Sequence, residues 1–214
     1  MMVEEAFKKY EHILSNDQIK KLQIFSDRVL KWNKYTNLTG AKDSTLFLKE
    51  HVVDCLSVVS FFEAKRSIID VGSGCGLPGL ILAITLPESR IFAVEPLSKR
   101  YRFLNQMRIE LEISNFSAIN NRIQDLSWKD AVFQNATEFT LVSRAFGEIE
   151  SFVDASKAFV DYGAEVYLMK SQLTHAELKF LDKIGYPRIY NIKNSPFDRR
   201  VLVNFRCYQK QLLK

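Results

Sequence analysis

The chain has 214 residues, 47% of them hydrophobic and 12% aromatic, with 30 Lys and Arg against 25 Asp and Glu for a net charge of +5. That apolar content suffices for one substantial core and excludes a disordered chain, while eight Gly and five Pro exclude a collagen-like or linker-like composition. The longest uninterrupted apolar run, near Leu80 to Ile84, falls far short of the roughly 20 residues that a bilayer-spanning helix requires, so no membrane partner is expected.

Met1 to Glu5 carry neither a basic region nor an apolar stretch of the secretory kind, which makes a cytoplasmic setting the expectation. Cys55, Cys75 and Cys207 are scattered without C-x-x-C spacing, so free thiols are expected, with no disulfide framework and no metal site. Charge is unevenly spread: Lys183 to Lys214 holds eight Lys and Arg against the single acid Asp198, a distribution that suits a polyanionic partner.

Apolar residues at Leu14, Ile19, Leu22, Phe25, Val29, Leu30 and Trp32 recur at spacings of three to five, predicting a long amphipathic helix that starts at a cap within Ser15 to Asp17 and ends near Asn33. After a turn-rich stretch to Gly40, a second helix is predicted from Ser44 to Phe62. The rhythm then changes to strand and helix in alternation. Strands are expected at Ser67–Val71, Arg90–Val94, Phe116–Asn120, Phe139–Ser143 and Ala164–Met169. The intervening helices are placed at Leu80–Ile84, Ser98–Leu111, Glu148–Val160 and Thr174–Ile184. Two final runs, Arg188–Ile192 and Val201–Tyr208, have no helix between them and read as a hairpin. This pattern predicts an α/β fold with a mainly parallel seven-stranded sheet, helices on both faces and a helical extension over residues 1–62 preceding one compact unit over 63–214.

In such sheets ligands sit beyond the carboxyl ends of the strands, and the first strand-to-helix turn lets them approach the backbone. Here that turn is Gly72-Ser73-Gly74-Cys75-Gly76-Leu77-Pro78-Gly79. Gly74-x-Gly76-x-x-Gly79 matches the dinucleotide fingerprint, and Glu95 follows Gly74 by 21 residues, where a ribose-binding acid belongs, so NAD is one candidate ligand. Asp70, just before the turn, would repel a pyrophosphate but would suit S-adenosylmethionine, which carries an ammonium and a sulfonium against one carboxylate. On that reading Asp70, Gly72, Gly74, Gly76 and Glu95 form the cofactor site.

The turn from Asp70 to Gly79, taken with Trp32-Asn-Lys-Tyr-Thr-Asn-Leu-Thr39, His51-Val-Val-Asp54, Lys99-Arg-Tyr-Arg-Phe-Leu104, Ser143-Arg-Ala-Phe146 and Leu168-Met-Lys170, closely resembles the bacterial 16S ribosomal RNA guanine-N7 methyltransferases, also called the glucose-inhibited division protein B family. The resemblance spans nearly the whole chain. It implies a Rossmann-like class I methyltransferase fold, S-adenosylmethionine as cofactor, and methylation of guanine N7 in 16S ribosomal RNA, giving 7-methylguanosine. The implied partner is the small ribosomal subunit or its assembly intermediate, met by a monomer. By the same resemblance Gly72 and Leu77 contact the cofactor, Ile123 and Gln124 flank its adenine, and Arg144 lies beside it at the mouth of the site. The chain departs from the family at Gln124, where Glu is frequent, and at Ser171, where Gly is common.

Guanine N7 offers a lone pair and no proton, so in-line displacement at a sulfonium methyl needs positioning more than a general base. Arg144 and Lys170, at the ends of their strands, are the candidate catalytic cations: Arg144 donating to guanine O6 or an adjacent phosphate, Lys170 neutralising phosphate. Arg100, Arg199 and Arg200 are expected to track RNA phosphates, and Asn37 and Thr39 either to border the substrate entrance or to stabilise their turn. His51 and Asp54, three apart on one helical face, are read as serving a helix-capping or inter-domain hydrogen-bond role rather than as a catalytic dyad. Two rival functions stay open on the residues alone: an NAD-dependent oxidoreductase, and a non-catalytic RNA-binding or ribosome-assembly factor.

Overall fold

The computed structural model describes residues 7–10, 12–136, 138–184 and 186–207. The expectations placed on Met1 to Glu5 and on Tyr208 lie outside them. Helix α1 spans Asn16–Thr36 and opens on a capping box, in which the Gln18 N–H donates to Ser15 Oγ at 3.2 Å and the Ser15 N–H to Gln18 Oε1 at 2.8 Å. It continues a turn past Asn33, because the Asn33 amide points forward and brackets the N–H and carbonyl of Thr39 at 2.9 and 2.8 Å. The helix stops on Asn37, which adopts the left-handed conformation (φ 51°) that Asn tolerates better than most residues.

The single helix expected over Ser44–Phe62 is instead four short pieces. Helix α2 (Ser44–Phe47), capped by Asp43, widens into a π-helical turn over Leu48–Val52, narrows to helix α3 (Val53–Leu56) and ends in a 3-10 turn at Val59–Phe61. Apolar periodicity cannot register such a widening, since the same face stays buried. Its consequence is that His51 and Asp54 both reach one arginine on the sheet, as described below.

Seven strands follow: β1 (Ser67–Val71), β2 (Arg90–Val94), β3 (Phe116–Ile119), β4 (Phe139–Arg144), β5 (Glu165–Lys170), β6 (Arg188–Asn191) and β7 (Val201–Arg206). They form one sheet in the order β3-β2-β1-β4-β5-β7-β6. The first five are parallel, and β7 runs antiparallel between β5 and β6, with Val201 opposite Lys170 and Asn191 opposite Val201. Every residue of β1 is buried, as befits a central parallel strand covered on both faces. Helices α4 (Gly79–Thr85), α5 (Ser98–Glu110), α6 (Ile149–Ala155), α7 (Lys157–Val160) and α8 (His175–Ile184) supply the cover. The helix expected over Glu148–Val160 breaks at Ser156, a buried residue with φ −98° and ψ 15° that separates α6 from α7.

Ile68 and Ile69 point to opposite faces of β1 and belong to different hydrophobic clusters. On one face Leu22, Phe25, Val29 and Phe47 pack with Ile81, Phe103 and Leu104, so the amino-terminal helices complete the cover of the sheet. Trp32 meets Phe103 edge-on at 5.4 Å, a core contact. The other face packs Val71, Phe92, Phe133, Phe139 and Phe159 beneath α6, α7 and α8. Among the described residues no helix is long and apolar enough to cross a membrane.

Candidate active site

At the carboxyl end of β1 the chain turns through Gly72, Gly74 and Gly76, with φ of 73°, 60° and 100°. These are left-handed conformations in which side-chain-bearing residues are strained, and a Cβ at Gly76 would also lie 2.4 Å from Leu80. Glu95, at the end of the adjacent strand β2, closes the turn: its Oε2 accepts the Gly74 N–H and its Oε1 the Leu97 N–H, each at 2.9 Å. The carboxylate is buried, yet each oxygen retains a lone pair for a ligand hydroxyl. Arg100 leans toward it, at 4.0 Å.

Asp70 is fully buried, contrary to a carboxylate lying open beside the ligand. Its Oδ2 accepts the Ser73 hydroxyl at 2.5 Å and the Gly79 N–H at 2.9 Å, whereas Oδ1 has no hydrogen-bond partner among the described residues. Burial pushes its pKa up to about 7, against the bonds from Ser73 and Gly79 that favour the charge. Asp70 thus organises the turn. Gly79 is required by this approach, because a Cβ there would lie 2.5 Å from Asp70 Oδ2. Cys75, within the turn, is also buried, which raises its thiol to about 12 and keeps it from serving as a nucleophile. The three cysteines are free.

The second half of the site is made of cations. Arg144 ends β4, and the chain then passes through Ala145 and Gly147, both with positive φ, carrying Phe146 back over Gly72. The Arg144 guanidinium donates from Nε to Asp54 Oδ2 at 3.0 Å and from Nη2 to His51 Nδ1 at 2.9 Å. Since arginine is always the donor, His51 is the acceptor and is neutral at Nδ1; burial and the Arg144 charge hold its pKa below the usual range.

Asp54 is fully buried and also receives Arg200, from Nε at 2.7 Å and Nη2 at 2.6 Å, and the Ser195 hydroxyl at 2.8 Å. One carboxylate therefore ties α3 to β4 and to the β6–β7 connection. Arg200 also lies over the Phe197 ring at 5.1 Å. The phosphate-tracking role expected of Arg200 is corrected by this fork, which commits the side chain inward, while Arg199 is exposed.

Lys170, at the end of β5, is committed as well. Its Nζ donates to the Gly147 carbonyl and pairs with Glu177 at 2.5 Å. Burial opposes the charge on Glu177, but Lys170 and the Thr174 N–H outweigh it and hold its pKa below the usual carboxylate range. Lys170 thus braces the Gly147 loop instead of standing free for phosphate. Ile123 is buried in a 3-10 turn beyond β3 and Gln124 beside it is exposed. Leu77 is buried under the glycine turn. Asn37 and Thr39 serve their turn: Asn37 caps α1, and Thr39 Oγ1 accepts the Ala41 N–H at 3.1 Å.

Comparison with known proteins places the chain in a family. A family model described as rRNA small subunit methyltransferase G matches residues 18–185. The chain belongs to the rRNA small subunit methyltransferase G family. It is 36% identical over 159 residues to the ribosomal RNA small subunit methyltransferase G of Pseudomonas putida (strain GB-1), spanning 73% of this chain and 70% of that protein. To the protein of the same name from Azoarcus sp. (strain BH72) it is 35% identical over 150 residues, 70% and 68% of the two chains.

Two solved structures share the fold at low identity. One is a SAM dependent methyltransferase from Aquifex aeolicus (TM-score 0.53, 14% identity, 74% of this chain and 90% of that one). The other is an rRNA methylase from Streptococcus thermophilus (TM-score 0.51, 15% identity, 72% and 94%). Membership in the methyltransferase G family makes the chain an S-adenosylmethionine-dependent rRNA methyltransferase. It also decides between the two ligands that the glycine spacing left open, against NAD. The residues present fit that cofactor: the backbone of the turn is exposed at Gly72 and half-buried at Gly74, and Glu95 offers acceptors beside it.

Proposed function

We propose that this family member transfers the methyl group to N7 of a guanine in 16S ribosomal RNA, with residues that position and no general base. S-adenosylmethionine, when bound, supplies an electrophilic methyl on its sulfonium. The chain's own part is to hold the cofactor at Gly72 to Leu77 and Glu95, with Ile123 and Gln124 at the adenine end, and to fix the base beside it. Arg144 is the residue we assign to guanine O6 or an adjacent phosphate; its contacts to Asp54 and His51 leave further N–H donors on the guanidinium.

The single observation that carries the reading is this clamped arginine, one strand from the glycine turn, with a neutral histidine already hydrogen-bonded to it. A site built for proton abstraction would keep its histidine free to accept the substrate's proton; a lone-pair nucleophile such as N7 makes no such demand. Lys170 contributes by holding the Gly147 carbonyl, and so the loop carrying Phe146 over the turn. We further propose that the enzyme works as a cytoplasmic monomer on the small subunit or its assembly intermediate, with residues 1–62 acting as an extension of the methyltransferase unit 63–214.

Mass-spectrometric mapping of ribosomal RNA from cells lacking the gene tests the product: loss of one 7-methylguanosine from 16S RNA is expected, and an unchanged modification pattern ends the proposal. Arg144→Ala is expected to lower kcat/KM for RNA at least tenfold. Retention within about threefold, under 1 kcal/mol of barrier, removes the Arg144 assignment.

A further inference from the structure

A cleft of about 390 Å³ opens at the same edge of the sheet, between the chain leaving β5, the end of β6 and the start of β7. Its size is that of a site for a small ligand. Leu173, Ile192 and Val201 give it an apolar lining, and Gln172 and Asn191 contribute exposed amides that both donate and accept. Lys193 and Arg199 are exposed cations on its rim, faced by one acid, Asp198, and Arg200 forms a wall.

We propose that this cleft is a subsite for one unpaired nucleotide of the RNA substrate, a neighbour of the methylated guanine rather than that guanine itself. The inference rests on the RNA reading above and adds a second point of attachment to it. Strand order carries the spacing. From the glycine turn after β1, the cleft lies across β4 at β5 and β7, two to three strand spacings or about 10–15 Å away. A base seated there is out of reach of a methyl held at the turn, while the adjoining nucleotide is within it.

The chemistry matches a single-stranded nucleotide, whose base presents mixed donors and acceptors to amides, whose faces suit apolar side chains, and whose phosphate suits Lys193 and Arg199. Asp198 supplies an acceptor for an exocyclic amine. The wall is pre-set, because Arg200 is fixed on the carboxylate that also holds Arg144. Seating a nucleotide against Arg200 thus registers the RNA to the arginine beside the turn.

Two variants, Gln172→Ala/Asn191→Ala and Lys193→Glu, are to be assayed with small subunits from cells lacking the gene, alongside calorimetric titration of S-adenosylmethionine. The expected result is a KM for the subunit raised tenfold or more in each, with kcat within twofold and cofactor affinity unchanged. A KM unchanged within twofold in both variants, or a parallel loss of cofactor affinity, overturns the proposal.

A second measurement separates this inference from the functional reading: ultraviolet cross-linking of 16S RNA transcribed with 4-thiouridine, mapped on the wild-type protein. Cross-links at residues 171–173 or 191–193 support the cleft, and cross-links confined to other surfaces overturn it. If the wild type transferred no methyl to RNA yet cross-linked here, the reaction assignment and the placement beside a methylated guanine would fail, and nucleotide binding in the cleft would stand.

Discussion

The two halves of the ligand-bearing edge are made of different materials. On the β1–β2 side the site is backbone: positive-φ glycines, a carboxylate receiving two main-chain N–H groups, and a helix start pressed against Asp70. Its partners lie within Asp70 to Leu97. On the β4–β5–β7 side the site is side chain. Asp54 meets Arg144, Ser195 and Arg200 at separations of 90, 141 and 146 residues. The first half is intolerant of bulk; the second depends on one buried charge. Close approach is set on one side by glycine backbone, and on the other the direction of two guanidinium groups is set by a shared acid.

Substitutions can break this contrast, beginning with the carboxylate. Asp54→Ala leaves Arg144 and Arg200 facing each other without a counter-charge and should cost about 3–5 kcal/mol in urea unfolding. Arg144→Ala, which leaves Asp54 still bonded to Arg200, should cost clearly less; equal costs would show that the two arginines are not joined through this acid. On the backbone side, Gly79→Ala forces a methyl against Asp70 Oδ2 and should destabilise by about 1–3 kcal/mol, with a greater loss in S-adenosylmethionine affinity by calorimetry. An unaffected affinity would separate the turn from cofactor binding.

The pH response sharpens the comparison, since Asp70 belongs to the backbone half. Its folded pKa of about 7 lies above the ordinary aspartate value of about 3.9, so the folded state holds the proton that the unfolded state releases. Stability contributed at this position therefore falls as pH rises from about 4 to about 7 and levels off above. Asp70→Asn should lack that decline, so its melting temperature relative to wild type should climb across the same window; a constant difference would show that Asp70 titrates normally. The smallest effect is expected far from the edge: Ser15→Ala removes the cap of α1 for about 1 kcal/mol, with methyl transfer unchanged.

The same division governs what could be read from the residues. The strands of the parallel region and the glycine turn follow from local signals, as do Glu95 at its strand end and the capping of α1, because each is decided by residues close in sequence. The clamp was not legible. His51 and Asp54 could be placed on one helical face and read as hydrogen-bonding groups, but nothing in the pattern names Arg144 and Arg200 as their partners. The π turn over Leu48–Val52 leaves apolar periodicity intact, and Arg200 reads as one surface cation among several until β7 is seen to bring it against α3. Lys170 likewise gave no sign of Glu177, seven residues on, because the pair closes across the segment that leads into α8.

Strand β7 threads between β5 and β6, and Arg200 immediately precedes it. The hydrogen bonds that close the glycine turn are all made by residues up to Leu97, whereas the Asp54 clamp closes only with Arg200, more than a hundred residues further on. A chain ending before its seventh strand would thus leave Asp54 without Arg200, so the fixing of Arg144 depends on completion of the polypeptide through that strand.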